Sequence, residues 1–159
     1  MHLRSAVAAT LGCLVAAAVL AAPLPAGASG VSVKVAPNRG LVNDQSVAIS
    51  GRGLARTADG KPLTWFAVEC TAAVMGRLKP STDTPHCDIA AAQALRVARN
   101  GTFTARFRVM TGIIGDGYCG TPGHATCVIG VGDVQGQGTV VHITFKVPAS
   151  AVPATTTTG

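Results

Sequence analysis

Two segments of the chain show the clearest alternation of apolar and polar residues. The segment 103–109 alternates phenylalanine, alanine and valine with threonine and arginine, and 141–147 alternates valine, isoleucine and phenylalanine with histidine, threonine and lysine. Period two is the spacing of a half-buried β-strand, whose successive side chains point to opposite faces. Shorter stretches of the same pattern predict strands over 31–35 and 46–50.

Three weaker strands are predicted over 62–71, 94–98 and 126–131, where apolar runs are bounded by turn residues. Together these segments make seven strands between residues 31 and 148, and no helical pattern of useful length competes with them. That number of short strands in a domain of this size favours an all-β, seven-stranded immunoglobulin-like sandwich.

One turn can be derived from the phase of its strands. A two-residue loop at Asn100-Gly101 would place apolar residues opposite polar ones, although cross-strand partners share a face. A three-residue loop over 99–101, with Gly101 in the left-handed conformation, corrects the phase. It predicts that Val97 pairs with Phe103 and Leu95 with Ala105.

The strands that flank two of the cysteines have unusual faces. Before Cys70, both sides of the strand carry large apolar residues. After Cys127, one face carries Ile129 and Val131, and the other carries only one large side chain. The residues of that bare face are Val128, Gly130 and Gly132. Glycine weakens a strand, and either close approach of a ligand or tight packing explains it here.

Composition agrees with a folded β domain. Of the 159 residues, 48% are hydrophobic and 13% are charged, which excludes a disordered chain. The length suits one domain with a targeting segment.

Residues 1–28 are predicted to be a cleaved signal peptide. Arg4 supplies the positive charge, 6–22 is an apolar stretch, and Ala26-Gly27-Ala28 is a small-residue cleavage site. A retained membrane anchor is the alternative. We expect a secreted mature protein that starts near Ser29, with the domain over 29–148 and a flexible tail over 149–159.

Cleavage changes the charge and the cysteine count. Removing Arg4 and Cys13 lowers the formal net charge from +6 to +5 and leaves four cysteines. In an exported chain an even number of cysteines indicates two disulfides, with three possible connectivities. Sequential pairing, Cys70 with Cys87 and Cys119 with Cys127, would close two irregular loops. No cysteine or histidine pair has zinc-ligand spacing, so no metal site is expected.

Enzymatic motifs are missing from the sequence. It contains no nucleophile elbow, no phosphate loop and no recognisable carboxylate pair. Most acids stand in turn-like contexts, and Glu69 beside Cys70 is the exception. We therefore expect a binding protein without catalytic residues.

The order and spacing of several motifs resemble the neocarzinostatin family, the apoproteins of enediyne chromoprotein antibiotics. The similarity extends over essentially the whole mature domain, with the four cysteines set among the matching strands. The matching segments are 33–37 (VKVAP), 40–41 (GL), 47–54 (VAISGRGL), 68–70 (VEC), Cys87, 100–102 (NGT), Cys119, 127–133 (CVIGVGD) and 143–145 (ITF).

This resemblance implies a sandwich with a small β-ribbon subdomain and the same sequential disulfides. It implies a secreted antimicrobial carrier that protects a non-covalent, apolar, enediyne-type chromophore in a cleft, while the released chromophore damages DNA. Direct contact of the protein with DNA is left open, and a monomer is expected. The cleft residues implied by position are Phe66, Val68, Cys70, Cys87, Ile113, Ile114, Val128, Gly130 and Gly132.

The chain departs from the family in two respects. Ala72 and Ala92 stand where carriers place aromatic rings, which removes stacking surface or widens the cleft. The mature domain is basic, whereas the known carriers are acidic. A second hypothesis is therefore a secreted immunoglobulin-like module without cargo that contacts a cell-surface polymer or a protein.

Overall fold

The computed structural model describes residues 30–54, 61 and 63–147. The predicted signal peptide and C-terminal tail lie outside these residues, so both assignments stay predictions.

Two antiparallel sheets and a short ribbon make up the described domain. The three-stranded sheet has the order β1-β2-β5, the four-stranded sheet has the order β4-β3-β8-β9, and β6 pairs with β7 in the ribbon. The seven predicted strands are therefore confirmed as the strands of the two sheets. The strands are β1 Ser32–Ala36, β2 Gln45–Arg52, β3 Trp65–Thr71, β4 Gln93–Leu95, β5 Phe103–Val109, β6 Gly112–Ile114, β7 Gly117–Cys119, β8 Thr126–Asp133 and β9 Gly138–Thr144. One helical turn, α1, covers Pro80–Asp83, and 3-10 turns cover Thr84–His86 and Ile89–Ala91.

The core lies between the two sheets, on the faces that the alternation predicts. Val47, Ile49 and Phe107 contribute from the three-stranded sheet, and Trp65 and Ile129 from the four-stranded sheet. All five side chains are buried. Burying a side chain of this size stabilises a fold by roughly 1.5–3 kcal/mol, so this alternation is a main source of the stability of the sandwich.

The last strand lies earlier in the chain than its alternation suggests. It covers Gly138–Thr144 rather than 141–147, because it pairs along the whole of β8. Phe145 lies beyond this ladder but stays buried, since it forms a parallel bridge with Leu41.

The turn over residues 98–102 is confirmed, but the strand pairing predicted beyond it is wrong. Gly101 has a φ of 76°, and the Ala98 N–H donates to the Thr102 carbonyl at 2.8 Å. Leu95 does not pair with Ala105 of β5. It lies opposite Trp65 of β3, within the four-stranded sheet. The chain crosses between the sheets here. Leu95 and Phe103 face the same core from opposite sides, so alternation alone could not separate the two topologies.

Two disulfides are present, between Cys70 and Cys87 and between Cys119 and Cys127, as predicted. The first joins β3 to the segment before β4, and the second joins β7 to β8. The first disulfide joins residues 17 positions apart, and by restricting the unfolded chain it stabilises the fold by about 3 kcal/mol.

The tip of the ribbon docks on the segment that precedes Cys87. The Asp116 N–H donates to the Pro85 carbonyl at 2.7 Å, and the Asp116 carboxylate lies 2.8 Å from Nδ1 of His86. Gly115 makes this approach possible because a Cβ there would lie 2.3 Å from the Pro85 oxygen.

We predict that Gly115→Ala destabilises the protein much more than Gly40→Ala. Both glycines have left-handed φ values, 57° and 62°, but no atom lies within 4 Å of a Cβ built at Gly40. The control should lose about 1 kcal/mol through backbone strain, and Gly115→Ala about 3 kcal/mol because backbone must also move. Urea unfolding measures both, and equal losses would contradict the docking of the ribbon.

Candidate ligand-binding cleft

Strands β3 and β8 bury apolar residues on both of their faces. One face belongs to the core between the sheets, and the other forms a second apolar cluster on the outer side of the four-stranded sheet. This cluster consists of Val68, Cys70, Val74, Leu78, Cys87 and Val128, with Ala92 and Val140 packed against it. The two-sided apolar character predicted for β3 is confirmed.

The segment 74–92 covers part of this outer face and is held there covalently. The Cys70–Cys87 disulfide ties it to β3, and the Asp88 N–H donates to the Glu69 carbonyl at 2.9 Å. A wall therefore stands beside the sheet, and an open cleft remains between the two.

The cleft has a volume of about 380 Å³ and a mostly apolar lining. This volume lies within the range of small-molecule sites, which are typically concave and apolar with a few polar groups. The lining residues are Phe66, Val68, Leu78, Pro80, Thr84, Cys87, Ile89, Ala92, Gly132, Asp133 and Val134.

Leu78 covers the bare glycine face of β8. A Cβ at Gly130 would lie 3.1 Å from Cδ1 of Leu78, and one at Gly132 would lie 3.1 Å from Cδ2 of the same side chain. Both contacts are tighter than ordinary van der Waals packing. Tight packing against Leu78 therefore explains Gly130. Gly132 packs against Leu78 and also borders the open cleft, so its small size is compatible with both tight packing and close approach of a ligand.

The structure brings together part of the predicted set of cleft residues. Phe66, Val68, Cys87 and Gly132 line the open volume. Cys70, Val128 and Gly130 lie on the same outer face but are buried beneath the segment 74–92.

The two ribbon isoleucines are not brought into the cleft. Ile113 is 74% exposed, whereas Ile114 is 2% exposed and packs in the core between the sheets. Neither lines the cleft as the structure describes it. Ala72 and Ala92 stand at the two positions where the family resemblance implies aromatic rings. Ala92 lines the cleft, whereas Ala72 is exposed and borders a separate depression near His86 and Tyr118.

Asp133 is a cleft residue that the sequence reasoning placed among the turn acids. It ends β8 and is 2% exposed. Its Oδ1 accepts hydrogen bonds from the N–H groups of Gln135 and Gln137, at 3.0 and 2.8 Å, which shapes the turn into β9. Within the described part of the chain, Oδ2 has no hydrogen-bond partner and is shielded from solvent.

Glu69 is the second buried acid, at the junction between the sandwich and the ribbon. Its Oε2 accepts a hydrogen bond from the Met110 N–H at 2.8 Å, and its Oε1 has no partner among the described residues. The pKa of Glu69 is raised from 4.5 to about 7, mainly by burial; the Met110 hydrogen bond opposes the rise, and the charge of nearby Asp88 contributes to it. The carboxyl group therefore carries a proton at mildly acidic pH.

Comparison with solved structures places this fold. Macromomycin superposes with a TM-score of 0.51 at 25% sequence identity, over 74% of this chain and 100% of that chain. The solution conformation of apokedarcidin is similar over the same shares of the two chains, at 23% identity and a TM-score of 0.47. No protein-family model and no curated protein matches the chain in sequence. The chain has the neocarzinostatin-family fold.

No helix within residues 30–54, 61 and 63–147 is long and apolar enough to cross a membrane. The same residues contain no group of three or more histidine, cysteine, aspartate or glutamate side chains placed to hold a metal ion.

We predict that Glu69 makes the folded state less stable as the pH rises. Because its folded-state pKa lies above its unfolded value, the native state binds more protons than the unfolded state between pH 4.5 and about 7. Its contribution is complete below pH 4.5 and is lost as the pH rises through about 7, by up to about 3 kcal/mol.

Glu69→Gln keeps an acceptor for the Met110 N–H and removes the titration. Chemical unfolding from pH 4 to pH 8 should show a flatter pH dependence for the variant than for the wild type, with the variant more stable at pH 8. Parallel curves for the two proteins would show that Glu69 titrates normally.

Proposed function

We propose that the chain is a secreted, neocarzinostatin-like apoprotein that binds and protects a small apolar chromophore of the enediyne type. The released chromophore would act on DNA, which gives the protein an antimicrobial role. The carrier is not an enzyme, and the chromophore is held without a covalent bond.

The observation that carries this proposal is the apolar cleft on the outer face of the four-stranded sheet. Sheet faces that are not covered by another layer are ordinarily polar, because exposed apolar surface promotes aggregation. Here Phe66 of the sheet and Ile89 of the covering segment face a concave space instead. Such a space can exclude water from a reactive apolar ligand. The fold shared with macromomycin supports a carrier role.

The shape of the cleft also restricts the ligand. Ala92 provides no aromatic surface, so the described lining offers the ring of Phe66 for stacking and mostly aliphatic contacts elsewhere. Leu78 occupies the space above Gly130, so the ligand must lie toward Phe66 and Gly132 or displace the Leu78 side chain.

Native mass spectrometry and an absorbance scan test the cargo directly, on protein purified from the culture supernatant of its producer beside recombinant apoprotein. We expect an additional non-covalent mass that is lost on organic extraction. The polypeptide mass should match cleavage after Ala28 with two disulfides. An empty chain from the producer would contradict the carrier role.

Filling the cleft should weaken the binding of an apolar probe. We predict that Ala92→Phe weakens binding of N-phenyl-1-naphthylamine at least about tenfold, equivalent to about 1.4 kcal/mol, because a ring enters the cleft. Ala90→Phe is the matched control, since Ala90 is exposed and does not line the cleft. Fluorescence titration measures both, and equal affinities for the two variants would place the probe elsewhere.

Asp133 lines the cleft, and its carboxylate predicts a preference for cationic ligands over neutral ligands of similar shape. We expect 2-naphthylmethylammonium to bind about tenfold more tightly than 2-naphthylmethanol, because the carboxylate attracts the ammonium charge in a mostly apolar cleft. Asp133→Asn retains Oδ1 for the turn and should remove most of this preference. The measurement is isothermal titration calorimetry, and a preference unchanged in the variant would exclude Asp133 from the site.

A further inference from the structure

The outer face of the three-stranded sheet is basic, in contrast to the apolar outer face of the four-stranded sheet. Strands β1, β2 and β5 point their apolar residues into the core and their polar residues outward. The outward cations are Lys34, Arg52, Arg106 and Arg108, and all four are exposed. We refer to these four residues and the hydroxyl residues between them as the basic face.

Strand pairing collects these cations from distant parts of the chain. Ser32 lies opposite Arg52, and Ser46 lies opposite Arg108. Lys34 and Thr104 both lie opposite Ser50, from its two sides. Because paired residues on one face are about 5 Å apart, the cations and hydroxyl groups form one continuous surface.

Little negative charge opposes this surface. Asp44 pairs with Arg108 at 3.1 Å, and both side chains are largely exposed. Among the other described acids, Glu69 and Asp133 are buried in the four-stranded sheet, and Asp83, Asp88 and Asp116 lie on the segment 80–92 and the ribbon. Like charges held together on one exposed face create a positive potential, which attracts a partner of opposite charge.

A depression of about 390 Å³ lies at one end of the basic face. Lys34 and Arg52 contribute its cations, and its hydroxyl groups come from Ser32, Ser50, Thr102 and Thr104. Ammonium, guanidinium and hydroxyl groups are the side-chain donors that bind phosphate oxygens.

We propose that the basic face binds a flexible, single-chain phosphodiester polymer of the poly(glycerol phosphate) class. The structure favours this polymer over nucleic acid because the exposed side chains of the face include no aromatic ring among the described residues, so bases have no stacking platform. In the part of the chain that the structure describes, the face is also a sheet surface without a helix or ribbon that could enter a groove of duplex DNA. The proposal does not rest on the carrier function, since it uses the opposite side of the sandwich.

The test is binding of fluorescently labelled poly(glycerol phosphate) to the mature protein by anisotropy, from 20 mM to 500 mM salt. Duplex and single-stranded DNA of equal phosphate number serve as competitors. The first variant is Arg106→Ser with Arg108→Ser, and the second is Lys34→Ser with Arg52→Ser. The matched control, Arg77→Ser with Arg96→Ser, removes two exposed charges on or beside the other sheet.

We expect the wild-type protein to bind the polymer at low salt and to lose affinity as salt screens the charges. Each variant of the face should bind about tenfold more weakly, because each basic residue near an anionic surface contributes roughly a few-fold in affinity. The control should bind nearly as tightly as the wild type. Circular dichroism confirms that the variants fold, which is expected because the substituted side chains are exposed.

Three results would overturn the proposal. Absence of polymer binding at 20 mM salt would exclude the interaction. Equal losses for the control and the face variants would show that only net charge matters. Displacement of the polymer by either duplex or single-stranded DNA at equal phosphate, with losses confined to the face variants, would identify the partner as nucleic acid instead.

Discussion

The pairing of β3 with β8 is the constraint on which the rest of the structure depends. These two central strands bury apolar residues on both faces, which is unusual for an antiparallel sheet with one open side. One of these faces is buried by packing against the three-stranded sheet. The other needs a cover, and the segment 74–92 supplies a partial one with Val74, Leu78 and the disulfide-bonded Cys87. The cleft is the portion of that face that the cover leaves open.

The glycines of β8 and the disulfide of β3 act together in this arrangement. Gly130 and Gly132 leave room for Leu78 to approach the backbone, and the Cys70–Cys87 bond keeps the wall beside the sheet. A larger residue at either glycine would push Leu78 outward and change the shape of the cleft. The buried acids mark the two ends of the four-stranded sheet, because Asp133 shapes the turn into β9 and Glu69 meets the root of the ribbon through Met110. The outer face of the four-stranded sheet is thus apolar and concave, whereas the outer face of the three-stranded sheet is basic.

Much of this organisation could be predicted from alternation and cysteine spacing. Period-two patterns assign each residue to a face, so the core and the second apolar face were predictable, as was the disulfide pairing. Alternation does not, however, identify the strand with which a given strand pairs. Leu95 faces the same core whether β4 pairs with β5 or with β3, so its face gave no information on its neighbour.

The remaining details of the site depend on tertiary contacts. A glycine shows where a side chain is missing, but only the folded chain shows that Leu78 fills the space. Two adjacent ribbon residues cannot both face the same side of a strand, and Ile114 turns into the core while Ile113 turns outward. Asp133 resembles any turn acid in sequence, and its burial follows from its position at the end of the central strand. The basic face depends on strand order, since it combines cations as far apart in sequence as Lys34 and Arg108.

The most direct test of this account is the position of Leu78 in the free protein, because that side chain defines where the cover ends and the cleft begins. Methyl-labelled protein should show nuclear Overhauser effects from the two Leu78 methyl groups to the α-protons of Gly130 and Gly132, to which they lie close. Methyl signals of Val68 and Leu78 that shift together when an apolar probe is added would agree with a cleft beside them. Leu78 methyl signals at solvent-averaged shifts, without contacts to either glycine, would contradict it and show that the outer face of the sheet is uncovered.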